Sequence, residues 1–201
     1  MPFTPREVFL GELEKGLHHG IAPVALTLSD FDNFKELNEE FGLDAGDKIL
    51  ILWEQLLRSN LPSDAQVFRL GGDEYVTMLP TLSAENSLIL FDEIRQHFSG
   101  RTVDVTGQAM SVSLGVAANP PHGTSAELLW QAVGQALMRA KRDGGDRIAI
   151  YVEEKMILKS NYYSRANLER LAKLSTATDR TEASLLREAL DDLIEKFREQ
   201  T

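Results

Sequence analysis

The stretch Arg69-Leu70-Gly71-Gly72-Asp73-Glu74-Tyr75 decides the fold, because it joins two β-type runs, residues 67–70 and 75–79. Two glycines followed by an acidic pair between such runs are a tight hairpin by composition. The glycines let backbone approach a phosphate closely, and adjacent carboxylates can bind a hard divalent ion or take a proton. Alone, the stretch is equally an acidic turn, since Gly and Asp are ordinary turn residues. A second feature changes the balance: the apolar run at residues 24–28 ends in Asp30 and Asp32. Carboxylates on two strand ends are what Mg2+-dependent phosphoryl or nucleotidyl transfer requires.

Working outward, residues 1–19 read as a helix with Val8, Leu10, Leu13 and Leu17 at roughly helical spacing, stopped at His18, His19 and Gly20. Phe34, Leu37 and Phe41 predict a helix after the first strand. Gly42 interrupts it, and residues 44–59 form another with Ile49, Leu50, Trp53, Leu56 and Leu57 on the buried face. Residues 83–98 and 125–142 are helical, and 110–117 and 148–152 are strands. This order mixes crossover helices with a hairpin, which predicts an α/β (α+β) sandwich whose helices cover a sheet containing antiparallel strands.

Composition agrees with a globular chain: of 201 residues, 26% are charged and 43% hydrophobic, which excludes disordered and collagen-like classes. Cysteine is absent, so thiol chemistry and thiolate zinc sites are excluded. No apolar run approaches the roughly 18 residues of a membrane helix, and the first 15 residues lack the features of a secretory signal. The chain therefore reads as soluble and cytoplasmic, with no membrane partner. Residues 153–201 hold nine Lys/Arg and ten Asp/Glu, so that −9 of the net −10 lies in the first 152. An acidic body disfavours nonspecific phosphate-backbone binding and suits a site that gathers divalent cations.

Gly71-Gly72-Asp73-Glu74-Tyr75 resembles the signature of GGDEF domains, the diguanylate cyclases, with Tyr in place of the final Phe. The resemblance covers about residues 4–152. It extends through Asp30-Phe31-Asp32-Asn33-Phe34-Lys35-Glu36-Leu37-Asn38, Phe41-Gly42, Gly46-Asp47, Ser111-Val112-Ser113-Leu114-Gly115-Val116 and Ala140-Lys141. It implies a nucleotide-cyclase-like GGDEF sheet with surrounding helices, and condensation of two GTP into cyclic di-GMP with release of pyrophosphate. It further implies Mg2+ or Mn2+ held by Asp30, the Phe31 carbonyl, Asp73 and Glu74, with Asp73 and Glu74 catalytic. Substrate-binding roles fall to Asn38 and Asp47 at the guanine, Lys35 and Lys141 at the outer phosphates, and Gly71 and Gly72 where the nucleotide enters. Without the family, Asp47 is equally a helix start, Asn38 a surface polar residue and Lys35 a solvated charge.

The chain departs from the family pattern in places. Lys141-Arg142-Asp143-Gly144-Gly145-Asp146 puts Gly145 where the family has a phosphate-binding Arg, leaving Arg142 or Arg147 as substitutes. Leu43 replaces a frequent His, and the usual opening motif is reduced to a remnant near residues 4–9. Pro62-Ser63-Asp64-Ala65 lacks the Arg of the product-inhibition motif, so cyclic di-GMP is expected to inhibit only by competing at the active site.

Residues 153–201 form a separate module resembling ribbon-helix-helix DNA-binding domains: an extended segment over 156–163, a helix over 164–177 and a helix over 181–198, with Thr181 as N-cap. In that family, paired strands enter the major groove. Lys159, Asn161 and Tyr163 would face bases, with Arg180 and Thr181 at a phosphate. A register that turns Tyr163 inward is the other possibility, and a helical dimerisation tail without DNA contact is the plainer reading. Some 45 residues cannot bury that much apolar surface alone, which predicts a homodimer. Two functions follow: a diguanylate cyclase coupled to a dimeric operator-binding tail, or a nucleotide-sensing regulator with a weak or inactive GGDEF domain.

Overall fold

The computed structural model describes residues 1–18, 24–153, 161–178 and 180–197. Five strands, β1 (Val24–Phe31), β2 (Gln66–Arg69), β3 (Glu74–Pro80), β4 (Val112–Asn119) and β5 (Ile148–Ile150), form one sheet in the order β2-β3-β1-β4-β5. β1 lies at its centre, antiparallel to β3 and to β4. β2 pairs antiparallel with β3, and β5 adds parallel to β4.

Helices cover both faces, which is why the strands read as nearly continuous apolar runs. On one side α3 (Leu43–Asn60) and α4 (Ala84–Thr106) bury Ile49, Trp53, Phe91 and Phe98 against Ala25, Phe31, Tyr75 and Leu114. On the other, α1 (Arg6–His18) and α5 (Ala126–Arg142) bury Phe9, Leu13, Val133 and Leu137 against Leu26, Leu28, Val76 and Met78. Strand neighbours go to opposite faces, as the pleat demands. α5 comes so close to β4 that a Cβ on Gly115 would lie 2.3 Å from the Val133 carbonyl oxygen. Only glycine fits there. The short α2 (Phe34–Phe41) leads from β1 into α3.

Several boundaries differ from the sequence expectation. The first helix starts at Arg6, because residues ahead of Pro5 extend along the sheet edge: Thr4 donates its N–H to the Arg69 carbonyl at 2.8 Å, and Phe3 bridges Arg69. β1 runs on to Phe31, so Asp30 belongs to the ladder. α4 continues past Gly100 to Thr106, since Thr102 keeps the buried spacing of Ile94 and Phe98 and receives the Met110 N–H at 2.8 Å. It stops at Gly107, whose left-handed backbone returns its N–H to the Val103 carbonyl. The last strand ends at Ile150.

The chain divides into two compact units, Met1–Glu154 and Lys155–Thr201. In the second, the described residues form α6 (Arg165–Thr178) and α7 (Glu182–Lys196), with Thr181 Oγ1 accepting the Ser184 N–H at 3.2 Å as the N-cap. The expected ribbon strand is not present at Asn161 and Tyr163. These exposed residues are irregular, and Asn161 turns its side-chain carbonyl to the Tyr162 N–H at 2.8 Å. A ribbon between two chains has no partner in one chain. Lys159 and the rest of 156–160 lie outside the described residues. No helix among the described residues is long and apolar enough to cross a membrane.

Candidate functional site

The antiparallel register sets Asp30 of β1 opposite Glu74, the first residue of β3, and opposite Ser113 of β4 on its other side. Asp73 precedes Glu74 at the tip of the hairpin. The tip is closed by the Leu70 N–H on the Glu74 carbonyl at 2.9 Å, and Arg69 donates to the Gly71 carbonyl at 3.2 Å and the Gly72 carbonyl at 2.6 Å. Its guanidinium also lies over the Tyr75 ring. The arginine thus satisfies the carbonyls of the glycine pair. Tyr75 buries its ring beside Phe31 and donates its hydroxyl to Glu54 Oε1 at 3.0 Å, which explains how a Tyr is accommodated in place of Phe.

Three carboxylates meet at this sheet end. Burial, then repulsion from Asp30, raises the pKa of Asp73, partly offset by its own backbone hydrogen bond, Lys141 and Arg69. Glu74 is raised by burial, Asp30 and Asp73 in that order, against Arg6 and Lys141. Lys141, from the last turn of α5, places its ammonium on the Asp30 carboxylate. Hard oxygen donors that repel one another and already attract a cation have the chemistry for Mg2+ or Mn2+. Among the described residues, no three acidic or histidine side chains close into a cage as they stand.

Asn38 of α2 packs against Gly46 of α3, the residue before Asp47, where the two helices meet. The helices touch so closely that a Cβ on Gly46 would lie 2.0 Å from Asn38 Oδ1. That oxygen is buried against α3 with no hydrogen-bond partner, a costly feature for an amide atom. Asp47 is exposed. Lys35 is exposed and points to Glu39 at 3.6 Å, so the structure does not bring it to the carboxylates. Arg147 donates Nε–H to the Gly145 carbonyl at 3.0 Å. Asp32, a strand-end carboxylate like Asp30, is occupied by hydroxyl and backbone donors and is not free to join the cluster.

Sequence reading missed Arg69, Glu54 and Arg95 as supports of this end of the molecule. Arg69 adjoins the signature and was within reach of the sequence. Glu54 and Arg95 lie on helices far along the chain, and no local pattern marks them.

The comparisons with known proteins agree with this geometry. The profile of the family described as "Diguanylate cyclase, GGDEF domain" matches residues 3–147, and the chain belongs to that family. Diguanylate cyclase DgcP of Pseudomonas aeruginosa is 32% identical over 134 residues, which are 66% of this chain and 20% of that protein. The response regulator PleD of Caulobacter vibrioides is 32% identical over 143 residues, 69% of this chain and 32% of that protein. Among solved structures, the GGDEF domain of TpbB (YfiN) from Pseudomonas aeruginosa superposes with a TM-score of 0.68 at 28% identity, covering 76% of this chain and 98% of that one. The chain thus spans about a fifth to a third of the length of these two curated relatives.

The raised carboxylates carry a sign that can be checked. A carboxyl whose folded pKa exceeds its unfolded value stabilises the fold at low pH, and that contribution is lost as pH rises through the folded pKa. In metal-free protein near pH 7, Glu74→Gln should therefore melt above wild type, with the difference closing as pH falls below the ordinary glutamate value of 4.5. A variant that melts lower at pH 7, or a difference independent of pH, would contradict the cost that burial and repulsion place on the Glu74 carboxylate; thermal unfolding at the two pH values decides it.

Proposed function

We propose that the first unit is a cytoplasmic diguanylate cyclase, condensing two GTP into cyclic di-GMP with loss of two pyrophosphates. The observation that carries the reading is the register pairing of Asp30 with Glu74, which gathers the acidic residues of the family signature and the first strand at one sheet end. Each 3′-hydroxyl attacks the α-phosphorus of the other nucleotide, a proton leaves the hydroxyl, and pyrophosphate departs. Mg2+ or Mn2+, held by Asp30, the Phe31 carbonyl, Asp73 and Glu74, would supply charge stabilisation at the phosphates.

The chain's own residues do the rest. Glu74 takes the proton of the 3′-hydroxyl, with Asp73 beside it. Gly71 and Gly72 present a tip with no side chains to obstruct the nucleotide. Asn38 and Asp47 read guanine, for a carboxylate accepts from N1–H and N2–H, a pattern adenine lacks, with discrimination of about 1–3 kcal/mol by analogy with base-edge readout. Lys141 moves from Asp30 to the outer phosphates when nucleotide and metal arrive, and Lys35 turns from Glu39 to join it. Gly145 removes the family's arginine from that end, which weakens triphosphate binding without touching the carboxylates.

The reaction needs two nucleotide sites face to face, and the same proposal gives the second unit the task of pairing two chains. In support, no described side chain of that unit is buried, while Leu168, Leu186, Leu190, Leu193 and Ile194 are exposed on its helices. Two helices with such faces are stabilised by association. Contact with operator DNA, through Lys159, Asn161, Tyr163, Arg180 and Thr181, is a subsidiary part of the proposal. Arg180 is engaged with Glu188 and Ser184, so reaching a phosphate would require breaking that pair.

Incubation of the full chain with GTP and Mg2+ should yield cyclic di-GMP by chromatography, and Asp30→Ala or Asp73→Ala should lower turnover by about a hundredfold or more while the protein stays folded. Wild-type turnover in both variants would sink the site assignment. Binding of GTP without any product would favour the nucleotide-sensing regulator instead. Sedimentation of the full chain at micromolar concentration should show a dimer that Leu190→Glu with Leu193→Glu converts to monomer; an unchanged mass would remove the second unit as the pairing element.

A further inference from the structure

Asp32 stands two residues beyond Asp30, yet its carboxylate is fully engaged in a different task. Oδ1 accepts the Ser113 hydroxyl at 2.7 Å. Oδ2 accepts the Ser111 hydroxyl at 2.9 Å and the Asp146 backbone N–H at 2.9 Å. The serines anchor the carboxylate to β4 and the residues leading into it. The third donor comes from the turn that follows α5.

That turn is seated tightly. Gly145 has a φ of +71°, and a Cβ there would lie 3.2 Å from Asp32 Oδ2. Any side chain would combine a left-handed backbone with a crowded contact. From the other side, Arg95 of α4 donates to the Asp146 carbonyl at 2.9 Å and to its carboxylate at 2.5 Å, and is itself held by Asp92 at 3.0 Å. The turn is bonded in its own right to the end of α5: Gly144 N–H to the Lys141 carbonyl and Gly145 N–H to the Ala140 carbonyl, both at 3.1 Å. These bonds tie the turn to the last turn of α5, which carries Lys141, whose ammonium pairs with Asp30.

We infer that Asp32 and Arg95 are positioning residues: from opposite sides they clamp the turn at residues 144–146 and so hold the Lys141 ammonium at the nucleotide site. The clamp itself is independent of the proposed function, which supplies only what Lys141 then meets. The rigidity matters because a cation on a flexible four-carbon stem is aimed by its backbone, and a misplacement near 1 Å can cost a reaction about a hundredfold.

Two readouts on the full chain test it. First, the rate at which N-acetoxysuccinimide acetylates Lys141, followed by mass spectrometry without nucleotide and referenced to the exposed Lys48, should rise about fivefold or more in Asp32→Asn and in Arg95→Ala, as the Asp30 pair loosens. Second, affinity for a GTP analogue with a methylene between the α- and β-phosphorus should fall about tenfold in each variant, and adding Lys141→Ala should cost little more, since coupled residues are not additive. Arg95→Ala keeps the test open if Asp32→Asn fails to fold. Unchanged Lys141 acetylation in the folded variants, or losses that add fully with Lys141→Ala, would overturn the clamp. A wild type that binds no analogue would remove the proposed function, while the acetylation rates would still decide the clamp.

Discussion

The central constraint is the register of β1 against its two neighbours. Asp30 faces Glu74 on one side and Ser113 on the other only if both ladders hold their alignment. A slip of one residue would turn every side chain of β1 to the wrong face, moving Leu26 and Leu28 away from α1 and α5 and Phe31 out of its aromatic cluster. Burial on both faces therefore fixes the position of a carboxylate that itself contributes little to packing. The site inherits its geometry from the hydrophobic core.

This arrangement sets stability against function. Three carboxylates gathered at a half-buried sheet end are costly to ionise, and burial first, then their mutual repulsion, raises the pKa values of Asp73 and Glu74. Lys141 relieves it in part by pairing with Asp30. A ligand that brings its own cation offers a better partner for all three, so the same repulsion that costs stability favours binding. Asp32 shows the contrast: it lies at the same strand end, but with three donors on its oxygens it acts as a fixed support.

Much of this was legible in the sequence because the informative residues are local. The hairpin signature, the strand-end carboxylates and the helical spacing of Ile49, Trp53 and Leu56 lie within short windows, and periodicity reports them directly. The cluster of Asp30, Asp73 and Glu74 emerged because two separate windows each ended in acid. What was not legible depends on distant residues. Arg95 meets Asp146 across 51 positions and Tyr75 meets Glu54 across 21, and neither contact has a pattern that a window can show. The overrun of α4 past Gly100 has the same origin, since Thr102 is kept helical by burial and by Met110. The ribbon strand expected over residues 156–163 is not formed at Asn161 and Tyr163, which are irregular, and residues 156–160 lie outside the described residues.

The central claim, that the β1–β3 register builds a cation site on Asp30, Phe31, Asp73 and Glu74, is tested most directly by paramagnetic broadening. Substoichiometric Mn2+ would be added to the isotopically labelled 201-residue chain in the presence of the unreactive GTP analogue, and the amide resonances recorded. The account predicts that the signals of residues 30–31 and 73–74 broaden first, and that Asp30→Ala abolishes the effect. Broadening centred on another acidic surface, such as Asp92 and Asp146, with residues 30 and 74 unaffected, would contradict it.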